Sequence, residues 1–192
     1  MMQTKIENFK LQPLENPQYI QTFFATFEQN GCKRDWEIVD AHDSVAILIY
    51  HKNRDAFVLV KQFRPSIYLN NKEGMTIELC AGIVDKTCSL AQIAKEEIEE
   101  ECGYSVPLEK IERVSAFHTS VGFAGAKQTL YYAEVDERMK ISEGGGIDDE
   151  QIEVIYLPTH EADRFLFDES IAKTPGLMFA FMWWFKNKQK EG

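Results

Sequence analysis

Two apolar runs set the frame of this chain. Ser44–Tyr50 (SVAILIY) is apolar at almost every position, and Ala56–Phe63 (AFVLVKQF) follows after the polar turn Lys52–Asp55. A strand apolar on both faces needs packing above and below it, so the first run predicts a buried central strand and the pair a hairpin. Further strands are predicted at Thr76–Leu79, Ile111–Phe117, Lys127–Val135 (KQTLYYAEV) and Ile152–Leu157. Ahead of this frame, Ile6–Leu14 is compatible with extended chain, and Tyr19–Glu28 alternates in part through Phe23, Ala25 and Phe27. Asn30-Gly31 is a turn signal, and Lys33–Asp40, with Trp36, Ile38 and Val39, predicts a second strand. A lone hairpin cannot bury itself. Residues 1–40 are therefore expected to form an arm that packs on the domain of residues 41–192 or joins two copies of it.

Helical signals fall in three places. Ser89, with Gln92 three residues on, is a capping-box pattern, and Gly103 stands where a helix ends. Thr159–Phe167 predicts a short helix. Thr174 followed by Pro175 starts a last one, whose Leu177–Phe185 (LMFAFMWWF) is apolar almost all round and should be buried on several sides. Lys186, Lys188 and Lys190 suit its C-terminal end. Strands and helices together predict a mixed α/β (α+β) fold, a twisted sheet between the Ser89 helix on one side and the C-terminal helix on the other. Asn70–Gly74 reads as a polar loop, and the glycine-rich Glu143–Asp149 as the most flexible segment.

The Ser89 helix carries the chemistry. At ~100° per residue, Leu90, Ile93 and Ala94 share a face, and Glu97 and Glu101 fall on that same face with Glu100 at its edge; Lys95, Glu96 and Glu99 point to water. Two carboxylates one turn apart repel by roughly 3 kcal/mol at an effective dielectric of about 20, and a helix C-terminus is the wrong end for anions. A hard divalent cation, Mg²⁺ first, is what such a site needs.

From Gly82 onward the segment resembles the Nudix box: Gly82, Glu97, Ile98, Glu100, Glu101, Gly103 and Tyr104 match its spacing, while Cys88 and Glu96 replace its first Glu and its Arg. The VKQFRP run ending at Arg64 and the Glu78-Leu79-Cys80-Ala81-Gly82 lead-in resemble the Nudix enzymes that cleave nucleoside diphosphate sugars, and TSVGFAG…QTLYY is similar to their UDP-sugar branch. The resemblance implies a Nudix α/β/α sandwich. It implies Mg²⁺ (or Mn²⁺) on Glu97, Glu101, the Ala81 carbonyl and Glu100, with Glu78 near substrate or metal. Arg64, at a strand end, is placed to fork onto a phosphate. The general base is expected on the glycine-rich loop, Glu150 first with Asp149 and Glu153 behind it, or at Glu100. A homodimer joined through the arm is implied; Trp36 then either stacks on the nucleobase or is simply packed. UDP-glucose is the expected substrate, with ADP-ribose or an ADP-sugar second.

Composition narrows this further. Over 192 residues the formal net charge is −10, which argues against a nucleic-acid partner. No apolar run is long enough for a bilayer. Four scattered cysteines (Cys32, Cys80, Cys88, Cys102) without CxxC spacing, and no signal peptide, point to free thiols in the cytoplasm. Cys88 and Cys102 read as packing residues, and the four histidines as background. Two rival readings stay open: a non-catalytic ligand sensor on the same fold, and an acidic docking helix indifferent to Mg²⁺.

Overall fold

A computed structural model describes residues 6–147 and 150–189. The strands are β1 (Ile20–Gln29), β2 (Cys32–Ala41), β3 (Ser44–His51), β4 (Ala56–Phe63), β5 (Met75–Glu78), β6 (Cys80–Ile83), β7 (Glu112–His118), β8 (Lys127–Val135) and β9 (Glu153–Pro158). The helices are α1 (Pro65–Asn71), α2 (Leu90–Glu97), α3 (Ala162–Phe167) and α4 (Pro175–Asn187). Strands β3 to β9 form one mixed sheet along the path β5-β4-β3-β8-β7, with β6 also on β3 and β9 also on β4. β3 sits at its centre, parallel to β8 from Ser44↔Gln128 to His51↔Val135.

Alternation along β3 explains the layers. Val45, Ile47 and Ile49 pack on one side with Ile93, Ala94, Ile98 and Tyr104; Ala46 and Leu48 pack on the other with Leu177, Phe181 and Trp184. Successive side chains of a strand face opposite ways, so a strand apolar throughout needs a helix over each face. The result is an α/β/α sandwich, with α2 on one face and α3 and α4 on the other. Phe57, stacked on Phe181 at 4.4 Å and edge-on to Trp184 at 5.0 Å, anchors the second layer.

Several expectations are corrected. Asn70 and Asn71 belong to the short helix α1, and Cys80–Ile83 is a strand, pairing with the first half of β3. α4 begins at the Thr174 cap as expected but is buried on one side: Leu177, Ala180, Phe181 and Trp184 are inside, whereas Phe179 and Met182 are exposed. Lys190 lies outside the described residues. Cys88 is exposed rather than packed inside, while His51 is wholly buried. The arm is the hairpin β1–β2, registered from Ile20↔Ala41 to Gln29↔Cys32. It lies almost entirely in solvent, with Phe23, Phe24, Phe27 and Trp36 exposed. Among the described residues, no helix is long and apolar enough to cross a membrane.

Candidate active site

The site is assembled around the end of α2. Ser89 Oγ accepts the Gln92 N–H at 3.2 Å, the expected cap. Gln92 does not close the capping box; its amide turns to Glu96 Oε1 at 3.0 Å. Past Glu97 the helix widens into a π turn, Ile98–Cys102, closed by Gly103 at φ 75°. Such single wide turns are rare. This one separates two i, i+4 pairs: Ile98 and Cys102 are fully buried in the core, while Glu97 and Glu101 lie on the side facing β6. Glu101 is 5% exposed, and its Oε2 accepts the backbone N–H of Ala81 at 3.0 Å. Gly82 leaves room beside it for the Glu97 carboxylate, which a Cβ there would displace.

Burial raises the Glu97 carboxyl to about 7, with Glu100 pushing the same way, and raises Glu101 to about 8, with smaller upward pushes from Glu97 and Glu150. The desolvation of an anion is the main cause in both. At Glu97 the opposing cation is Lys86, while at Glu101 the hydrogen bonds of the Ala81 N–H and Cys80 oppose it. The Lys86 Nζ lies 2.7 Å from Glu96 Oε2 and acts electrostatically on Glu97 and Glu100. Glu96, which stands where the box has Arg, turns to Lys86 and Gln92 and so brings a cation beside the cluster. Lys86 had no sequence signal, since it stands in the loop before the helix, off any helical period.

Arg64 and Glu78 meet in a fork. Arg64 Nε donates to Glu78 Oε1 at 2.8 Å and Nη2 to Oε2 at 2.7 Å, and the Thr76 hydroxyl donates to Oε1 at 2.6 Å. Burial pushes the Glu78 carboxyl up, but the bonds and charge of Arg64, with Thr76, hold it below its ordinary value. Both Glu78 oxygens are therefore spent on neighbours in this arrangement. Arg64 stays partly exposed and feels the charges of Glu101 and Glu150.

The glycine-rich loop is laced onto the helix end. Gly145 N–H donates to Glu101 O at 2.8 Å and Gly146 N–H to Glu100 O at 3.1 Å; Ile141 and Ser142 N–H both reach Gly103 O. Gly144, Gly145 and Gly146 all take positive φ. These bonds satisfy carbonyls that a helix terminus otherwise leaves open, so the described part of the loop is a fitted cap. It brings Glu150 to the acidic cluster, where its Oε2 accepts the Ile147 N–H at 3.1 Å. Glu153 instead starts β9 and pairs with Lys61 at 3.4 Å, and Asp149 lies outside the described residues. Trp36 is on β2; its indole N–H donates to Gly122 O at 2.7 Å and the residue is 55% exposed.

Glu97, Glu100, Glu101, Glu150 and Arg64 thus share one electrostatic neighbourhood. Among the described residues, no three His, Cys, Asp or Glu side chains converge closely enough to cage an ion. The donors present are hard oxygens, two carboxylates beside the Ala81 backbone. That chemistry fits a Mg²⁺-type ion, which takes few protein ligands and completes its shell with water and substrate phosphate. A cavity of about 660 Å³ lies at the opposite end of β3, beside Lys52 and Lys188. Of its acids, Glu112 and Asp136 are paired with Lys188 and Arg138, and Glu134 accepts the Tyr132 hydroxyl.

No family model matches the chain. It is 35% identical to the uridine diphosphate glucose pyrophosphatase NUDT14 of Bos taurus, over 87% of this chain and 88% of that one, and equally to the Mus musculus protein. It is 39% identical to the GDP-mannose pyrophosphatase of Cronobacter sakazakii over 66% of this chain and 65% of that one, and 34% identical to that of Yersinia pestis over 84% and 82%. With an α/β/α sandwich, the box residues at the end of α2 and identity of this extent, the chain belongs to the Nudix hydrolases, in their nucleoside diphosphate sugar pyrophosphatase branch.

Proposed function

We propose that this protein hydrolyses the diphosphate of a nucleoside diphosphate sugar, giving a nucleoside monophosphate and a sugar 1-phosphate. The observation that carries the reading is the buried Glu101 at the end of α2, facing β6 with Arg64 and Glu150 in its field. Glu97, Glu101 and the Ala81 carbonyl, with Glu100, would hold Mg²⁺ or Mn²⁺. When bound there, such an ion supplies positive charge against the diphosphate and acidifies a nearby water.

Each protein group has a part. The N–H groups of Arg64 not spent on Glu78 steady the diphosphate. Glu150, on the fitted loop, takes the proton of the attacking water. The water oxygen adds to one phosphorus, the bridging P–O bond breaks, and the bridging oxygen leaves on the other phosphate. Glu100 is the second choice as base. Lys86 limits the repulsion among the glutamates while the substrate is absent.

UDP-glucose is the first substrate, since the two NUDT14 relatives match across nearly the whole chain. GDP-mannose moves ahead of ADP-ribose on the names of the other relatives. The test is phosphate release from a panel of nucleotide sugars with Mg²⁺, using a coupled phosphatase. Turnover of UDP-glucose, abolished in Glu97→Gln and Glu101→Gln, supports the reading. An inert panel refutes it and favours the sensor, whereas activity indifferent to both variants refutes the metal-holding parts given to Glu97 and Glu101.

The β1–β2 hairpin supports a homodimer. Ten residues per strand stand almost wholly in solvent with Phe23, Phe24, Phe27 and Trp36 exposed, and a second copy of the same hairpin or domain is the simplest cover. Trp36 keeps its ring open for a base in such an assembly. Sedimentation of the wild type against Phe24→Asp tests this: a monomeric wild type refutes it. The cytoplasm remains the expected compartment, on the scattered cysteine spacing.

A further inference from the structure

We infer that Thr76 is a positioning residue, one that aims Arg64 at the diphosphate by fixing the carboxylate of Glu78. The inference rests on Arg64 being the diphosphate clamp proposed above.

The argument begins with strand alternation. Thr76 and Glu78 are two apart on β5, so they share a face. Their partners across the ladder are Gln62 and Val60, which places the face at the end of β4, directly before Arg64. Thr76 is 4% exposed and Glu78 8%. The Thr76 hydroxyl has two acceptors within reach, Glu78 Oε1 at 2.6 Å and the Gln62 carbonyl at 3.3 Å. It has one proton. The shorter bond, to a charged acceptor, is the stronger and takes it.

Glu78 Oε1 then holds two donors, Thr76 Oγ1 and Arg64 Nε, while Oε2 holds Arg64 Nη2. A guanidinium is planar and forks onto a carboxylate in its own plane. Whatever fixes the carboxylate plane therefore fixes the direction of the remaining Arg64 N–H groups. Without the Thr76 hydroxyl, the Glu78 carboxylate is held only by Arg64 itself, and the two rotate together. Arg64 keeps its charge but loses its aim. Misdirection of this kind weakens an interaction made to the reacting group more than it weakens folding.

The experiment pairs two readouts in the full-length protein. The first is solvent exchange of the Arg64 Nε–H by NMR, which needs no substrate. It should be slow in wild type and Thr76→Ser and at least several-fold faster in Thr76→Val. The second is kcat/KM on the best nucleotide sugar with Mg²⁺. Thr76→Val should lower it about tenfold, about 1.4 kcal/mol, with Thr76→Ser close to wild type. In an Arg64→Met background, Thr76→Val should cost nothing more, which is how a residue acting through Arg64 behaves in a double-mutant cycle. The inference is overturned if Thr76→Val leaves the Nε–H as protected as in wild type. Equal losses from Thr76→Val with and without Arg64 also overturn it. If no nucleotide sugar is cleaved, the function proposed above fails, and the exchange measurement still decides whether Thr76 fixes Arg64.

Discussion

Substituting Glu101→Gln tests the electrostatics of the site without substrate. Burial raises the Glu101 carboxyl from 4.5 to about 8 in the ion-free protein. At about 1.4 kcal/mol per pH unit, the ionised form is disfavoured in the fold by on the order of 4–5 kcal/mol. Between these two values the native state keeps a proton that the unfolded chain has released. Stability contributed by the neutral carboxyl is therefore complete below about pH 4.5 and is lost as pH rises towards 8. Glutamine keeps the shape and removes the titration, though its amide meets the Ala81 N–H only when its oxygen faces it. The assay is urea unfolding with a chelator, from pH 5 to pH 9, for wild type and variant. The wild type should lose several kcal/mol relative to Glu101→Gln over that span, with the variant overtaking it at high pH. Added Mg²⁺ should restore the wild type at pH 8 by RT ln(1 + [Mg²⁺]/Kd), about 2.7 kcal/mol at one hundred times Kd, and do little for the variant. Parallel curves for the two proteins in chelator would refute the reasoning, because Glu101 would then be ionised at no cost and would need no cation.

Three further outcomes are expected. Gly144→Ala drives a Cβ into the Glu101 carbonyl at φ 70°; it should cost more than the roughly 1–2 kcal/mol of the left-handed backbone alone in thermal unfolding and reduce turnover by unseating Glu150. Gly122→Ala, whose Cβ meets open space, should change neither. His51 is fully buried, with no hydrogen bond to either ring nitrogen and with Glu137 Oε1 3.5 Å from Nε2. Burial lowers its pKa, Glu137 and Asp136 pull it up, Arg54 pushes it down, and the rings of Tyr104 and Tyr156 close the site. The unfolded chain then binds the proton first, so wild-type stability should fall as pH drops below about 6.5. His51→Leu should be at least as stable at pH 7 and lose less at pH 5 in urea titrations; an identical pH profile refutes this.

The legible parts of the sequence were those whose signal is local. Ala56–Phe63 and Lys127–Val135 are strands with the bounds their patterns predict, and the Ser89 and Thr174 caps begin their helices as read. α1 was not legible, since none of its seven residues is buried and it has no apolar face to announce it. β6 has four residues and exists because the first half of β3 offers it an edge. The glycines 144–146 signalled freedom, whereas their positive φ values are what let the loop dock on two helix carbonyls. Both Arg64 and Glu78 were assigned to the site, yet that each is the other's main partner is a fact of tertiary structure. The same holds for Lys86, whose value depends on where Glu96 turns.

The parallel pairing of β3 with β8 has a consequence for synthesis of the chain. Ser44 and Gln128 are neighbours in space but 84 positions apart in sequence. Contacts so distant slow folding, because a long segment must be gathered before they form. During translation, the acidic segment 96–101 emerges well before β8 does. The nascent protein must therefore carry its most self-repelling stretch without the finished sheet beneath it, and the central layer closes only once synthesis has passed Val135.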